Sequence, residues 1–448
     1  MRHDHLGLGV RTIGPRPVEP AGNDLVRVDL AYGDHGLSVE LPTSSTVVIE
    51  PRRHSGVDDP HAALVEALTR PVAGPPLRRL VRKGQSVAIS VCDGTRPQPR
   101  ALVVGAILEQ LEGIVDPSDV VVVVATGTHR PNTPAEIDSM LGADLVRAVR
   151  VINHDCRDPA GLTHLGRLGE DVPVWINSEW LAADVRVTTG FVEPHMFAGF
   201  SGGPKMVAPG LAGLETVLVL HDSRRIGHPL ARWGVIDGNP IQSDVRAIAT
   251  AAGVSFALDV VLNRQREIIA AFGGELLAMH HAATTLAGQI AMVPVDAPFQ
   301  VVLTTNSGFP LDQNLYQAVK GMSAAAQIVV PGGQIVCAAE CREGFPDQGS
   351  YHHLLSSRGT PAELLDSIEN GSETVPDQWQ AQIQARILGA ARVAVHTDGI
   401  CDADLVEVGL EAAGDIASFV AQALRRAGPG ARLCVLPDGP QTIPYVAA

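Results

Sequence analysis

The sequence predicts an α/β fold built from two Rossmann-like domains with parallel sheets and an active-site cleft between them. Short apolar strands alternate with helical segments along most of the chain, the pattern that yields a parallel sheet with helices on both faces. The strand candidates, DVVVVVATG above all, are continuous β-branched runs, as strands covered on both faces require. The chain's 448 residues also exceed one ordinary domain. The first domain is expected over 1–290 and the second over 291–448, with the last helix able to return to the first.

Residues 1–22, rich in Gly and Pro, read as a flexible leader. LVRVDLAYGDHGLSVELP alternates apolar and polar residues around Gly33-Asp34 and reads as a hairpin. QSVAISVCD is a strand and ALVVGAILEQLEG a helix; DVVVVVATG is a strand, and TPAEIDSMLG starts like a helix. VRAVRVINHDC and ADVRVTTGFVEPH are further strands. ELLAMHHAATTLAGQIAMVPV reads as a helix leading out of the first domain. In the second domain FQVVLTTNSG is a strand, AAQIVVPGGQIVCAAE reads as paired strands about Gly332-Gly333, and ARVAVHTDG and ARLCVLPDGP follow with helices between.

Composition narrows the function. An apolar fraction of 45% with 19% charged residues supplies a sizeable core. A net charge of -15 argues against nucleic-acid and anionic-membrane partners, which need concentrated Lys and Arg. No apolar run reaches membrane-span length, and the N-terminus lacks a signal-peptide core. Six sparse cysteines without a CxxC pair suit reduced thiols in the cytoplasm. Cys337 and Cys341 have the spacing of a metal pair on a helix, but read first as small buried hydrophobes.

Polar residues gather directly after three strands: Asp93-Gly94-Thr95-Arg96, Thr126-Gly127-Thr128-His129-Arg130 and Asn153-His154-Asp155. The carboxyl ends of parallel strands form the binding crevice of such folds. Arg96 and the hydroxyls of Thr95, Thr126 and Thr128 suit a phosphate or carboxylate, although each loop alone could be ordinary turn and cap chemistry. EPHMFAGFSGGPKMVAPGLAGLETVLVLH sets Lys205 in a glycine-rich turn, ten residues after His195 and sixteen before His221. Glycines there admit a large ligand, and the histidines can carry protons or bind a metal. LDQNLYQAVKG puts Gln317 and Lys320 on one helical face beside Tyr316, a spacing any amphipathic helix shares.

Taken together, CDGTRP, ATGTHRP, the PHMFAGFSGGPK…H segment and LDQNLYQAVKG, with DQWQAQI as a weaker fifth, resemble the nickel-pincer lactate racemase family from about Leu25 to the C-terminal LPDGPQTIP. The resemblance implies a nickel pincer nucleotide, Ni(II) pyridinium-3,5-bisthiocarboxylic acid mononucleotide, attached covalently at Lys205, with His221 as the metal ligand. Soft sulfur donors in a tetragonal site are sensible for Ni(II). Asp93, Gly94, Thr95 and Arg96 match the cofactor-contacting segment, with Arg96 assigned to its phosphate. His129 and His195 match the two acid/base histidines. Gln317 and Lys320 match a pair contributed by the second domain, Tyr316 adjoins them, and Trp379 matches an aromatic wall of the pocket.

The implied activity is that of a 2-hydroxy acid racemase or epimerase. One histidine takes the hydroxyl proton while the C2 hydride passes to the pincer ring. The planar 2-oxo acid turns and takes the hydride back on its other face, and the second histidine serves the opposite hand. Domain closure would exclude water from the 2-oxo acid. A small 2-hydroxy acid and, transiently, the proteins that synthesise the cofactor are the expected partners. Pro204, directly before the lysine, departs from the glycine or basic residue expected there. An NAD-dependent 2-hydroxy acid dehydrogenase is the competing enzyme class, disfavoured by the lack of a GxGxxG after the first strand. A non-catalytic carrier of the pincer cofactor would need Lys205 and His221 but neither His129 nor His195.

Overall fold

The structure is a computed structural model and describes residues 24–52, 54–346, 349–357 and 359–447. The proposed leader at 1–22 lies outside the described residues. The chain forms two compact units, each with its own mixed or parallel sheet.

One unit comprises Pro51–Val293 and the described part of 347–386. Its sheet runs Ile268–Gly274, Phe256–Leu262, Val185–Phe191, Val87–Cys92, Val120–Ala125, Arg150–Asn153. All neighbours pair in parallel except the edge strand Ile268–Gly274, which is antiparallel. The central strands are buried on both faces: Val87, Ile89 and Val91 beside Val122, Val123 and Val124 are inaccessible to solvent. This is why their sequences are continuous and β-branched. The helix Arg100–Leu111 covers one face with Val103, Val104, Ile107 and Leu111. Each such buried aliphatic side chain stabilises the fold by roughly 1.5–3 kcal/mol. The helix Pro134–Leu141 starts at a capping box of Thr133 and Glu136.

Because these strands run parallel, Cys92, Ala125, Asn153 and Phe191 all end at one edge of the sheet. The loops that follow therefore emerge together, as the strand pattern predicts. An antiparallel hairpin, Leu162–Leu168 with Val172–Asn177, is added on the way and was not read from the sequence. It accepts the lysine segment through Asn177 N–H to Leu211 O and Gly213 N–H to Trp175 O, each 2.9 Å.

The other unit takes the described residues up to Glu50, then Pro294–Pro346 and the chain from Ile387 onward. Its sheet runs Glu411–Ala412, Arg392–His396, Val329–Ala338, Phe299–Thr305, Leu433–Leu436, Thr46–Val48, all parallel. Three expectations are corrected here. The single boundary at 290/291 fails: Thr46–Val48 completes the second sheet, and Val28, Leu30, Val39 and Leu41 of the predicted hairpin bury with Val301, Leu303 and Val336. The helices over 349–386 belong with the first unit. The last helix, Ile416–Ala427, does not return to the first domain, because its buried Ile416, Val420 and Ala423 join the second core. The Gly332-Gly333 hairpin is also absent: Val329–Ala338 is one strand beside Phe299–Thr305, and its register jumps from Val329 to Gln334. Pro331 cannot donate to the ladder and Gly332 has φ +73°, so the extra residues bulge instead of reversing the chain.

Candidate functional site

The loop after Val87–Cys92 is fixed from within. Arg100 is buried, and its guanidinium donates to the carbonyls of Cys92 (2.6 Å), Arg96 (2.6 Å) and Asp93. Nothing in the sequence RPQPR indicates this latch. It holds the loop turned back on itself, with Asp93 buried.

Asp93 Oδ1 accepts from the Thr95 hydroxyl at 2.7 Å, and its Oδ2 lies 2.6 Å from His129 Nδ1. Burial pushes the Asp93 carboxyl up, but the hydrogen bond and charge of His129, the nearby Arg96 and Thr95 outweigh it and hold the pKa below the usual range. An ionised Asp93 therefore keeps a proton on His129 Nδ1 and leaves Nε2 as the atom that can exchange one. The His129 side chain is 44% exposed, so a ligand can reach it. The depressed pKa stabilises the fold above the carboxylate range near ~4, and that contribution is lost as pH falls through the folded value. Asp93→Asn is expected to remove this part of the acid limb, read as the pH dependence of thermal unfolding of the apoprotein.

Two hydroxyls proposed for anion binding are already engaged. Thr95 donates to Asp93, and Thr126 donates to His154 O at 2.7 Å. Arg96 remains as the loop's ionic anion donor. The Asn153-His154-Asp155 loop acts as a clip: Asn153 holds both the N–H and C=O of Asn132, and the buried His154 bonds Ala212 O.

After Val185–Phe191 the chain makes a two-residue ladder, Pro194–His195 against Gly199–Phe200. Gly199 (φ +74°) is required, since a Cβ would meet Val235 O at 2.0 Å. His195 is half-buried; its Nδ1 accepts from Ala198 N–H (3.3 Å) and Phe197 N–H (3.5 Å), which sets the proton of the neutral ring on Nε2, the opposite tautomer to His129. Gly203–Met206 forms a 3-10 turn bearing the half-buried Lys205. The segment closes on the neighbouring loops through Gly127 N–H to Gly210 O (3.0 Å) and the contact of Cys92 Sγ with Met206 Sδ (3.7 Å).

Lys205 Nζ lies 5.8 Å from the Phe197 ring centre. The same ring stands edge-on to His195 at 4.4 Å and to His221 at 5.3 Å. Trp379 packs on His221 from 4.7 Å. Phe197 thus joins the lysine and two of the histidines, a role the sequence did not indicate. His221 follows the helix Leu214–Leu220 and is buried. Its Nδ1 donates to Val217 O at 2.8 Å, which leaves the Nε2 lone pair free for a ligand. Burial holds its pKa down at about 4, with the Lys205 charge adding to that effect. The ring is neutral at pH 7, the state a metal ligand needs.

Among the described residues no group of three or more His, Cys, Asp or Glu is arranged to hold a metal. A metal at His221 would therefore draw its other donors from a bound group. All six cysteines are free; burial raises the Cys337 thiol well above its usual value and that of Cys341 to about 12, as for small buried apolar residues.

In the other unit, Asn314 caps the helix Leu315–Ala326, and Lys320 Nζ donates to Gln317 Oε1 at 2.7 Å. The predicted shared face is present, with Tyr316 half-buried beside it. Among the described residues no helix is long and apolar enough to cross a membrane.

Comparison with known proteins agrees along the chain. The lactate racemase N-terminal domain family matches residues 32–234, and the lactate racemase C-terminal domain family matches 295–443. A lactate racemase from Lactiplantibacillus plantarum is 33% identical over 422 residues, covering 93% of this chain and 99% of that protein. A lactate racemase from Thermoanaerobacterium thermosaccharolyticum is 33% identical over 425 residues, covering 94% and 99%. The solved lactate racemase apoprotein from the latter organism superposes with a TM-score of 0.88 at 32% identity, over 94% of this chain and 100% of that one. A Thermotoga maritima protein shares the fold, with a TM-score of 0.66 at 20% identity over 88% of this chain and 100% of that one.

Proposed function

The chain belongs to the lactate racemase family and is an isomerase, and from that premise we propose that it racemises or epimerises a lactate-like 2-hydroxy acid with a nickel pincer nucleotide attached at Lys205. The observation that carries the reading is His221: a buried neutral imidazole with its Nδ1 proton committed to Val217 O, its Nε2 free, and Phe197 packed against it and near the Lys205 amine. The residues fit the cofactor. A lone nitrogen ligand suits a metal that arrives with sulfur and carbon donors, and the lysine turn is built on glycines at Gly202 and Gly203.

When bound, the group supplies a hydride acceptor next to the substrate carbon. The protein's part is proton handling and orientation. His129, held by the ionised Asp93, and His195, held by two peptide N–H groups, exchange protons with the substrate hydroxyl through Nε2. Arg96 holds the nucleotide phosphate, its guanidinium offering paired donors. Lys320, steadied by Gln317, holds the substrate carboxylate with Tyr316 beside it. Trp379 limits access to His221. We place this chemistry in the cytoplasm, with the cofactor-synthesis proteins as transient partners, in keeping with six free thiols.

The test is peptide mass spectrometry on protein co-produced with a cofactor-synthesis system. The peptide containing Lys205 is expected to carry an adduct holding sulfur and nickel, and a chiral assay on 2-hydroxy acids then identifies the substrate. An unmodified Lys205 under conditions that load a lactate racemase would overturn covalent attachment.

A further inference from the structure

Beneath the lysine turn lie two buried titratable side chains to which the reaction assigns no role. Asp259 interrupts the apolar strand Phe256–Leu262 and is inaccessible to solvent. Its Oδ2 accepts from Gly203 N–H at 2.6 Å. His280, equally inaccessible, lies on the helix Leu276–Ala291, and its Nε2 donates to Ser201 O at 3.0 Å. The two side chains therefore hold the peptide groups on either side of Gly202, one through its N–H and the other through its C=O.

The fit leaves no slack. Gly202 has φ +72°, and a Cβ there would lie 2.6 Å from Asp259 Oδ2; Gly203 has φ +49°, and a Cβ there would lie 2.5 Å from the His280 ring. Lys205 N–H closes the turn onto Gly202 O at 3.1 Å, so the gripped peptides lead directly into the residue that carries the amine. Stability alone gives little reason to bury a carboxyl in a strand core, because an apolar residue would avoid the desolvation. His280 Nδ1, moreover, finds no hydrogen-bond partner among the described residues. Buried polar groups kept at such a cost are characteristic of sites where precise placement is needed.

We infer that Asp259 and His280 are positioning residues for the lysine turn: together they fix the Ser201–Gly203 backbone and thereby the place from which Lys205 presents its amine. The inference rests on Lys205 being the cofactor attachment point, and its test separates the two claims. Lysines occur only at 83, 205 and 320, and Lys83 is exposed, so acylation of the apoprotein by a water-soluble N-hydroxysuccinimide ester can be read as a Lys205 to Lys83 ratio by peptide mass spectrometry.

Asp259→Ala is expected to change that ratio and to lower the Lys205 adduct yield after cofactor loading, each by roughly five- to tenfold, the factor given by losing one ordinary hydrogen bond. Asp259→Asn, which keeps an acceptor for Gly203 N–H, is expected to restore both readouts. His280→Gln, which keeps a donor for Ser201 O, should likewise resemble the unmodified protein, and His280→Leu should resemble Asp259→Ala. Circular dichroism selects the folded variants, and the histidine pair decides the matter if Asp259→Ala does not fold. A folded alanine or leucine variant with an unchanged acylation ratio overturns the positioning role. A changed ratio, with no adduct even on the unmodified chain, leaves the positioning role standing and overturns the attachment.

Discussion

His129→Ala and His195→Ala are each expected to lower racemisation by about 10²–10⁴-fold, the usual contribution of a positioned acid or base, while the Lys205 adduct and its nickel stay in place. The geometry explains why the loss should fall on turnover and not on loading. In the proposed site neither ring is the metal ligand, and each engages the protein through Nδ1: His129 with Asp93 at 2.6 Å, His195 with the N–H groups of Phe197 and Ala198. A racemase interconverts both hands, so it must handle the hydroxyl proton of each, and removing either group blocks the cycle. Rates for each enantiomer, with nickel measured on the same samples, provide the check. Loss of nickel with activity retained would contradict both assignments. Asp93→Asn should weaken the His129 route alone, because an amide can donate to Nδ1 and so favour a proton on Nε2, the wrong atom.

How much of this was legible depended on whether the signal was local. The β-branched runs revealed the central parallel strands because burial on both faces demands such residues, and the polar clusters after them marked the site edge. The hairpin over 25–42 was legible for a similar reason, its alternation matching one buried face. Its allegiance was not: nothing in Thr46–Val48 says that its neighbour will be Leu433–Leu436. The Gly332-Gly333 pair carried a true turn signal that a parallel partner overrode. Phe197 was hidden because its importance comes from three neighbours, two of them distant in sequence. Asp259 left a readable trace as a single acid in FALDVVL, an exception to the rule that carboxylates avoid the core. That the hydroxyls of Thr95 and Thr126 donate to Asp93 and His154 was not legible, because sequence shows a donor but not where its proton goes.

The largest expected effect belongs to His221. His221→Ala should strip nickel from the loaded protein, a greater loss than the roughly 10–100-fold in affinity that follows removal of a residue supporting a metal ligand. Activity should fall to background with it. The sequence HDSRRIGH suits an exposed helix, yet the ring is buried between Phe197 and Trp379, with Nδ1 spent on Val217 O. Nε2, which has no hydrogen-bond partner among the described residues, is the atom a bound metal would take. The apoprotein variant should therefore remain folded, losing packing against Trp379 but no essential hydrogen bond. Trp379→Ala should have a smaller effect on nickel content, since it removes a wall and not a ligand. Metal analysis by mass spectrometry, with the Lys205 adduct quantified in parallel, distinguishes the outcomes: adduct present and nickel gone assigns His221 as the ligand, whereas nickel retained in a folded His221→Ala protein would place the ligand elsewhere.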